Sequence, residues 1–358
     1  MITRRALKVG LESLVALDPA SPGWGVGLRF SVGCGVPPVI GVAAGQPALG
    51  VFAAVGALFP LLSDIGGTLR ERLTLMLATS CAMTLCAAIG ALTAGDLWIV
   101  LAMTALGAFA IAWVADRHRP LEMVFRFATV GLVIGSGAQI HARGAAVAFF
   151  CGGLFAGLVV IVGYLVRRAQ AAPPLPTWSR GFRLLLSGQT VAGMRFALCF
   201  VAASAIAVAA TPILGLQRGF WITITVLFVM RPDGPQSLKL VLQRFIGTVG
   251  GIAVAALIVE LSHAPWILIL WVVCLGFLAP NGQQRNYALG VGLVTAMTMV
   301  LLDLALLSQG GDRQLLWIRL LDTGIGCLLA FAGTVIAYPR AVRSVESALD
   351  ASKPRPNP

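Results

Sequence analysis

Apolar runs close to 20 residues recur along this chain from Val26 to Tyr338, parted only by short polar breaks. A helical run of that length spans the roughly 30 Å hydrocarbon core of a bilayer. Lipid offers no partner for backbone N–H and C=O groups, so helices are the form such runs take. The chain is 58% hydrophobic and 11% charged, with a mean hydropathy of +0.90, far more apolar than a soluble core requires. The fold class is therefore all-α, a polytopic membrane protein of about 12 transmembrane helices. Spans are expected at 26–44, 47–62, 73–93, 97–114, 124–140 and 145–166, then at 193–211, 215–230, 245–261, 264–280, 286–303 and 314–338.

Three anchors suggest that the chain is duplicated. Leu28-Arg29-Phe30 corresponds to Met194-Arg195-Phe196, Asp64 to Asp233, and Arg72 to Arg244, at separations of 166, 169 and 172 residues. Six spans is an even number, so the second half enters the membrane as the first does. Two parallel six-helix repeats follow, related by an axis along the membrane normal, with a pathway or site expected between them. The organisation reads as a cytoplasmic amphipathic lead-in (1–25), a first repeat (26–166), a Pro-rich cytoplasmic linker (167–189), a second repeat (190–339) and a disordered cytoplasmic tail (340–358). Within the linker, TWSRGFRLLL has the pattern of a short helix lying on the membrane surface.

The formal charge of +12 would suggest nucleic acid in a soluble protein, but here the cations sit between apolar spans. With a cytoplasmic N-terminus, only Arg143, Arg218, Arg313 and Arg319 of the 26 Lys and Arg fall in outward loops, which puts both termini inside. Trp98, Trp221, Trp266 and Trp317 lie near the outer span ends, and Trp24 and Trp113 near the inner ones, as interface anchors. The seven cysteines all fall in apolar runs without CxxC spacing and read as packing residues. Gly131–Gly135, Gly153–Gly157 and Gly247–Gly251 have the spacing of close helix packing. No HExxH, Walker A, nucleophile elbow or dinucleotide fingerprint is present, so neither a cofactor nor an enzyme is expected.

Two spans are too short. Gly219 to Met230 covers roughly 18 Å as a helix, and its counterpart Pro47 to Leu62 is Gly-rich and contains Pro60. Short or broken segments at corresponding places point to a translocation site, whereas the plain alternative is a tilted helix in a thinned bilayer. Arg29, Arg72, Arg195 and Arg244 lie at or within span starts near these breaks. A guanidinium there needs a partner, and an anionic substrate supplies one. The alternative has each Arg at the interface or paired with Asp64, Glu71 or Asp233, with Pro232 shaping the second break. Arg72 and Arg244, as the duplicated pair, are the leading substrate-binding candidates. Arg319 and Asp322, three apart on one helix face, form either an internal ion pair or a proton-carrying site, to which Asp303 is a second candidate. Asn286 and Tyr287 either hydrogen-bond a substrate or cap and anchor their helix.

The stretch FWITITVLFVMRPDGPQSLKLVLQRFIGTVGG resembles the signature of the fusaric acid resistance (FUSC) family of integral membrane transporters, with Trp221, Pro232, Arg244, Gly247 and Thr248 at matching positions. Gln283 to Asp303 and Trp317 to Ala330 resemble further family elements and contain Arg285, Asn286, Tyr287, Arg319, Asp322 and Gly326. The first half resembles the family only as a degenerate copy. The resemblance implies an exporter of aromatic or other organic carboxylic acids in the bacterial inner membrane, related to para-hydroxybenzoic acid efflux pumps. More distantly it extends to the plant aluminium-activated malate transporters, which conduct anions passively. Longer family members carry sizeable soluble cytoplasmic regions after the membrane repeats, where this sequence has a 23-residue linker and a short tail, so the resemblance does not carry over the regulation or assembly those regions supply.

The leading expectation is a proton-coupled exporter of organic, in particular aromatic, acids. Arg72, Arg244, Trp221, Thr248, Asn286 and Tyr287 would bind the substrate, and Asp322 and Asp303 would carry the proton. Arg29, Arg195, Asp64, Asp233, Pro232 and Arg319 would serve structure or gating. A passive organic-anion channel and a non-transporting membrane scaffold are the alternatives. Expected partners are a small organic anion and the lipid bilayer, with a periplasmic adaptor protein or a second copy of the chain as candidates, and no nucleic acid.

Overall fold

A computed structural model describes residues 16–19, 23–137, 142–167, 174–186, 193–216, 218–306 and 314–339. Among the described residues there are thirteen helices and no strand. The first half contributes α1 (Trp24–Ala43), α2 (Pro47–Leu62), α3 (Leu69–Leu92), α4 (Leu97–Val114), α5 (Arg119–Gly137) and α6 (Ala142–Arg167). A short α7 (Trp178–Leu186) follows. The second half contributes α8 (Gly193–Ile213), α9 (Phe220–Val229), α10 (Gly234–Leu261), α11 (Pro265–Arg285), α12 (Tyr287–Leu306) and α13 (Gln314–Ala337). Ten of these helices are long and apolar enough to cross a membrane, and α2 and α9 are the two shorter apolar ones. The chain is thus an all-helical, multi-pass membrane protein.

Each expected span coincides with a helix. The largest difference is at α10, which begins at Gly234 rather than at 245. The Asp233 carboxylate accepts the Gln236 N–H at 2.9 Å, and Pro235 occupies the first turn, so the helix starts in polar sequence that hydropathy overlooks. At α3 a capping box does the same. The Thr68 hydroxyl accepts the Glu71 N–H at 3.3 Å, and the Glu71 carboxylate accepts the Thr68 N–H at 2.8 Å.

The helix contacts of one half recur in the other. α1–α2 is matched by α8–α9, α2–α6 by α9–α13, α3–α5 by α10–α12, α3–α6 by α10–α13, and α4–α5 by α11–α12. Between halves, α1–α11 is matched by α4–α8, and α2–α12 by α5–α9. The pattern of helix contacts is thus shared between the two halves.

Close approach of backbones holds the matched pairs together. A methyl added at Gly135 of α5 would fall on the carbonyl oxygen of Ala87 in α3, and one added at Gly251 of α10 on that of Gly292 in α12. Of the Gly153–Gly157 pair, Gly153 packs closely against the Ser80 side chain of α3, whereas Gly157 has only a Leu73 methyl at 3.9 Å. The neighbouring Gly152 meets the Ala53 carbonyl of α2.

Large apolar side chains such as Leu85, Leu106, Leu257 and Leu328 point outward, as a lipid-facing surface requires. Trp98, Trp266 and Trp317 are among the exposed side chains, in keeping with interface anchors. All seven cysteines are free, and Cys34 and Cys327 are buried in the packing. Helix α7 docks on the α4–α5 turn. The His118 ring lies under Gly181, its Nε2 is 3.1 Å from the Thr177 carbonyl, and its Nδ1 accepts the Leu121 N–H at 3.2 Å. Most of the lead-in, the flanks of α7 and the tail lie outside the described residues.

Candidate functional site

Helix α9 is the shortest apolar helix and one of the most deeply packed. Its ten residues rise about 15 Å, and Phe220, Ile222, Thr223, Ile224, Thr225, Val226, Leu227 and Val229 are buried. The chain leaves it through Met230-Arg231-Pro232, which cannot continue the helix. The Ser237 hydroxyl closes this break, accepting the Arg231 N–H at 2.8 Å and donating to the Arg231 carbonyl at 3.0 Å. In the first half the corresponding break follows Pro60 of α2, where the Ser63 hydroxyl donates to the Pro60 carbonyl at 2.7 Å.

A cavity of about 900 Å³ runs between these two short helices. It follows α2 from Ala48 to Leu62 and α12 from Tyr287 to Leu306, with Phe220, Trp221, Ile224 and Phe228 of α9 on a third side. Its volume lies toward the upper end of the range of small-molecule sites. Phe52, Phe59 and Phe149 add aromatic surface from the first half. Among the described residues, the charged ones that line it are Arg218, Arg244 and Arg319, and no Asp or Glu lines it.

Two of these cations, Arg244 and Arg319, carry guanidinium nitrogens without partners. Arg319 is 3% exposed, and its guanidinium lies 3.6 Å over the Trp221 ring, with Nε and Nη1 making no hydrogen bond. The Nε of Arg244 is likewise buried without a partner. Arg244 and Arg319 are within electrostatic reach of each other, as like charges in a low-dielectric setting. An anion between them would turn that repulsion into two attractions, and its planar carboxylate fits the guanidinium fork.

The structure brings together some of the sequence-predicted site residues and separates others. Trp221, Arg244, Tyr287 and Arg319 line the cavity. Trp221 is therefore a cavity residue rather than an interface anchor, because α9 is sheathed by other helices. Thr248 is fully buried near the site with its hydroxyl unpartnered, but it does not line the cavity. Asn286 caps α12, accepting the Ala288 N–H at 2.7 Å and donating to the Ala16 carbonyl at 2.9 Å.

Arg72 is held outside the cavity by Asp64, with Nε donating to Oδ1 at 2.6 Å and Nη2 to Oδ2 at 2.5 Å. Arg29 reaches the same carboxylate at 3.6 Å. Arg195 is exposed at the start of α8, Asp233 caps α10, and Pro232 sits in the break. The duplicated Arg pair thus has two different environments.

The ion pair considered for Arg319 and Asp322 does not form among the described residues. Arg319 turns to the Trp221 face instead, and both carboxylate oxygens of Asp322, a fully buried residue, lack a partner. Asp303 is 7% exposed with Oδ2 unpartnered. Neither acid lines the cavity. No group of three His, Cys, Asp or Glu able to hold a metal occurs among the described residues.

Sequence reasoning passed over one cluster. Glu122 and Arg126, one helical turn apart in α5, are both buried. Glu122 Oε1 accepts from Arg126 Nη2 at 2.5 Å and from Arg231 Nη1 at 3.0 Å, joining α5 to the break after α9. The signal was available as an i,i+4 acid–base pair, with Arg126 inside an apolar span.

Residues 202–333, from within α8 to within α13, match the family model described as fusaric acid resistance protein-like. The match lies wholly within the second half of the chain. Among the described residues, that half supplies every charged side chain that lines the cavity. Parts of the chain are also similar to the inner membrane protein YccS of Escherichia coli, 30% identical over 146 residues, which is 41% of this chain and 19% of that protein. YhfK of Escherichia coli is 29% identical over 127 residues, 36% of this chain and 18% of that protein. The matched stretch thus spans about a fifth of the length of either relative. No solved structure matches the chain.

Proposed function

We propose that this chain is an inner-membrane transporter that exports organic, in particular aromatic, carboxylic acids through the cavity between its halves. One observation carries the reading: a cavity of about 900 Å³ between the halves, lined among the described residues by three arginines and aromatic rings, with no acidic side chain. Arg244 and Arg319 are placed to hold the carboxylate, while Trp221, Phe52, Phe59 and Phe228 offer flat apolar surface to an aromatic body. The family match and the similarity to an inner membrane protein support the same reading.

Proton coupling belongs to this proposal. Asp322, one turn beyond Arg319, is buried with both oxygens unpartnered, and intramembrane acids of this kind are carriers of protons in pumps and transporters. The orientation with both termini inside is part of the same reading.

The test is flux of a panel of aromatic acids in proteoliposomes, with and without an imposed pH gradient. Gradient-dependent flux that Arg244→Gln abolishes is expected. Flux that ignores the gradient and follows the anion's own equilibrium potential would select a passive channel. Absence of flux for every acid would overturn the transport reading.

A further inference from the structure

Helix α7 takes no part in the cavity. The segment that carries it is fixed at two places. A methyl added at Gly67, in the loop between α2 and α3, would fall 2.8 Å from Leu175 Cγ. Farther on, the Thr177 carbonyl lies 3.1 Å from His118 Nε2, and Gly181 rests on the same imidazole ring. Because α3 crosses the membrane and α4 returns, the α2–α3 loop and the α4–α5 turn stand on one side of it. Helix α7 is therefore strapped across the ends of membrane-crossing helices, at the depth where hydrocarbon gives way to headgroups.

Docking uses only one side of α7. Gly181 is buried against His118, whereas Phe182 is 57% and Leu186 87% exposed. These two are one turn apart, and Trp178 and Leu185 extend the same apolar face at the i, i+4, i+7, i+8 spacing. Arg180 and Arg183 are exposed beyond the edge of that face. Arg70, at the start of α3, and Arg119, at the start of α5, are exposed as well. Of the acids in the loop, the turn and the first turns of α3 and α5, Asp64 pairs with Arg72, Glu71 closes the α3 capping box, and Glu122 holds Arg126 and Arg231. Among the described residues of these segments, four exposed arginines thus stand against one exposed carboxylate, that of Asp116.

We propose that α7 binds anionic phospholipid, with Phe182 and Leu186 in the acyl boundary and Arg180 and Arg183 on the headgroup phosphates. An apolar pair beside arginines at this depth meets acyl chains and phosphates together, and an acidic lipid presents both in one molecule. His118 is a positioning residue. Its Nδ1 accepts the Leu121 N–H at the start of α5 while its Nε2 donates to Thr177, so the ring ties α7 to the end of a membrane-crossing helix. The inference is independent of what the cavity carries.

Hydrogen exchange of the full chain, read by mass spectrometry, tests it in nanodiscs of phosphatidylcholine with and without phosphatidylglycerol. Amides across Trp178–Leu186 are expected to exchange more slowly when phosphatidylglycerol is present, by about fivefold for each arginine engaged. The double variant Arg180→Gln/Arg183→Gln should lose that difference, and Phe182→Ser should speed exchange in both lipids. All three side chains are exposed, so these variants leave the packed helices intact. Equal exchange in the two lipids, with the double variant unchanged, would overturn the proposal. Protection that appears in phosphatidylcholine on adding inorganic phosphate would overturn it too, because the acceptor would then be a soluble anion.

Discussion

Arg72 and Arg244 stand at matching places in the two halves, yet the same substitution by Gln should have opposite consequences. Arg72 is 12% and Asp64 6% exposed, and two hydrogen bonds join them. Removing one partner of a buried pair costs on the order of 3–5 kcal/mol. Arg29, 3.6 Å from the same carboxylate, keeps part of the compensation, so about 2–3 kcal/mol of stability should be lost in Arg72→Gln. That corresponds to a fall of roughly 5 °C or more in melting temperature.

Arg244 has a buried Nε with no partner, so Arg244→Gln removes an uncompensated donor and should leave stability unchanged or slightly raised. Its loss should appear in transport instead. A hydrogen bond to a charged group contributes about 1.5–3 kcal/mol, which is roughly a ten- to hundredfold loss of affinity for the carboxylate. Melting curves of purified variants, followed by size-exclusion recovery after heating, would be set beside benzoate flux in proteoliposomes. The reasoning fails if Arg72→Gln loses flux at an unchanged melting temperature. It also fails if Arg244→Gln melts early and transports as the wild type does.

Other expectations follow from single contacts. Gly250 and Gly251 are neighbours, but an added methyl meets nothing at Gly250 and the Gly292 carbonyl at Gly251. Gly250→Ala should leave the melting temperature unchanged, while Gly251→Ala should cost about 1–3 kcal/mol by forcing α10 from α12. Asp322→Asn should preserve folding and leave a flux that no longer responds to a pH gradient, and retained gradient dependence would remove Asp322 from coupling. In the α4–α5 turn, partial desolvation and then the Glu122 carboxylate push the Asp116 carboxyl above its ordinary range. Its contribution to stability is thus full below the ordinary carboxyl range and lost as pH rises through the raised value. Asp116→Asn keeps a residue type that tolerates the φ of +63° found there. The substitution should therefore raise the melting temperature at neutral pH and not at acid pH.

Much of the architecture was legible in the order of residues. Twelve apolar runs became twelve helices because a bilayer-length apolar segment has no other way to satisfy its backbone. The duplicated anchors and the two short spans also pointed to the place where α2 and α9 flank the cavity. Arg244 and Tyr287 stood out by residue type and position and do line the cavity, whereas Trp221 read by position as an interface anchor and joined the candidates only through the family resemblance.

What only the tertiary structure decided is which charged groups find partners. Arg72 and Arg244 look alike along the chain, but Asp64 folds back onto the first, and none of the described residues meets the Nε of the second. Arg319 and Asp322 have helix-pair spacing, yet a Trp221 ring from another helix captures the guanidinium and leaves the acid alone. The Glu122–Arg231 contact joins residues of α5 and the α9 break that no local pattern connects. Span formation is set by the length and polarity of a segment, which are local quantities. Whether a buried charge is matched depends on atoms brought to it by other helices, and only packing supplies those.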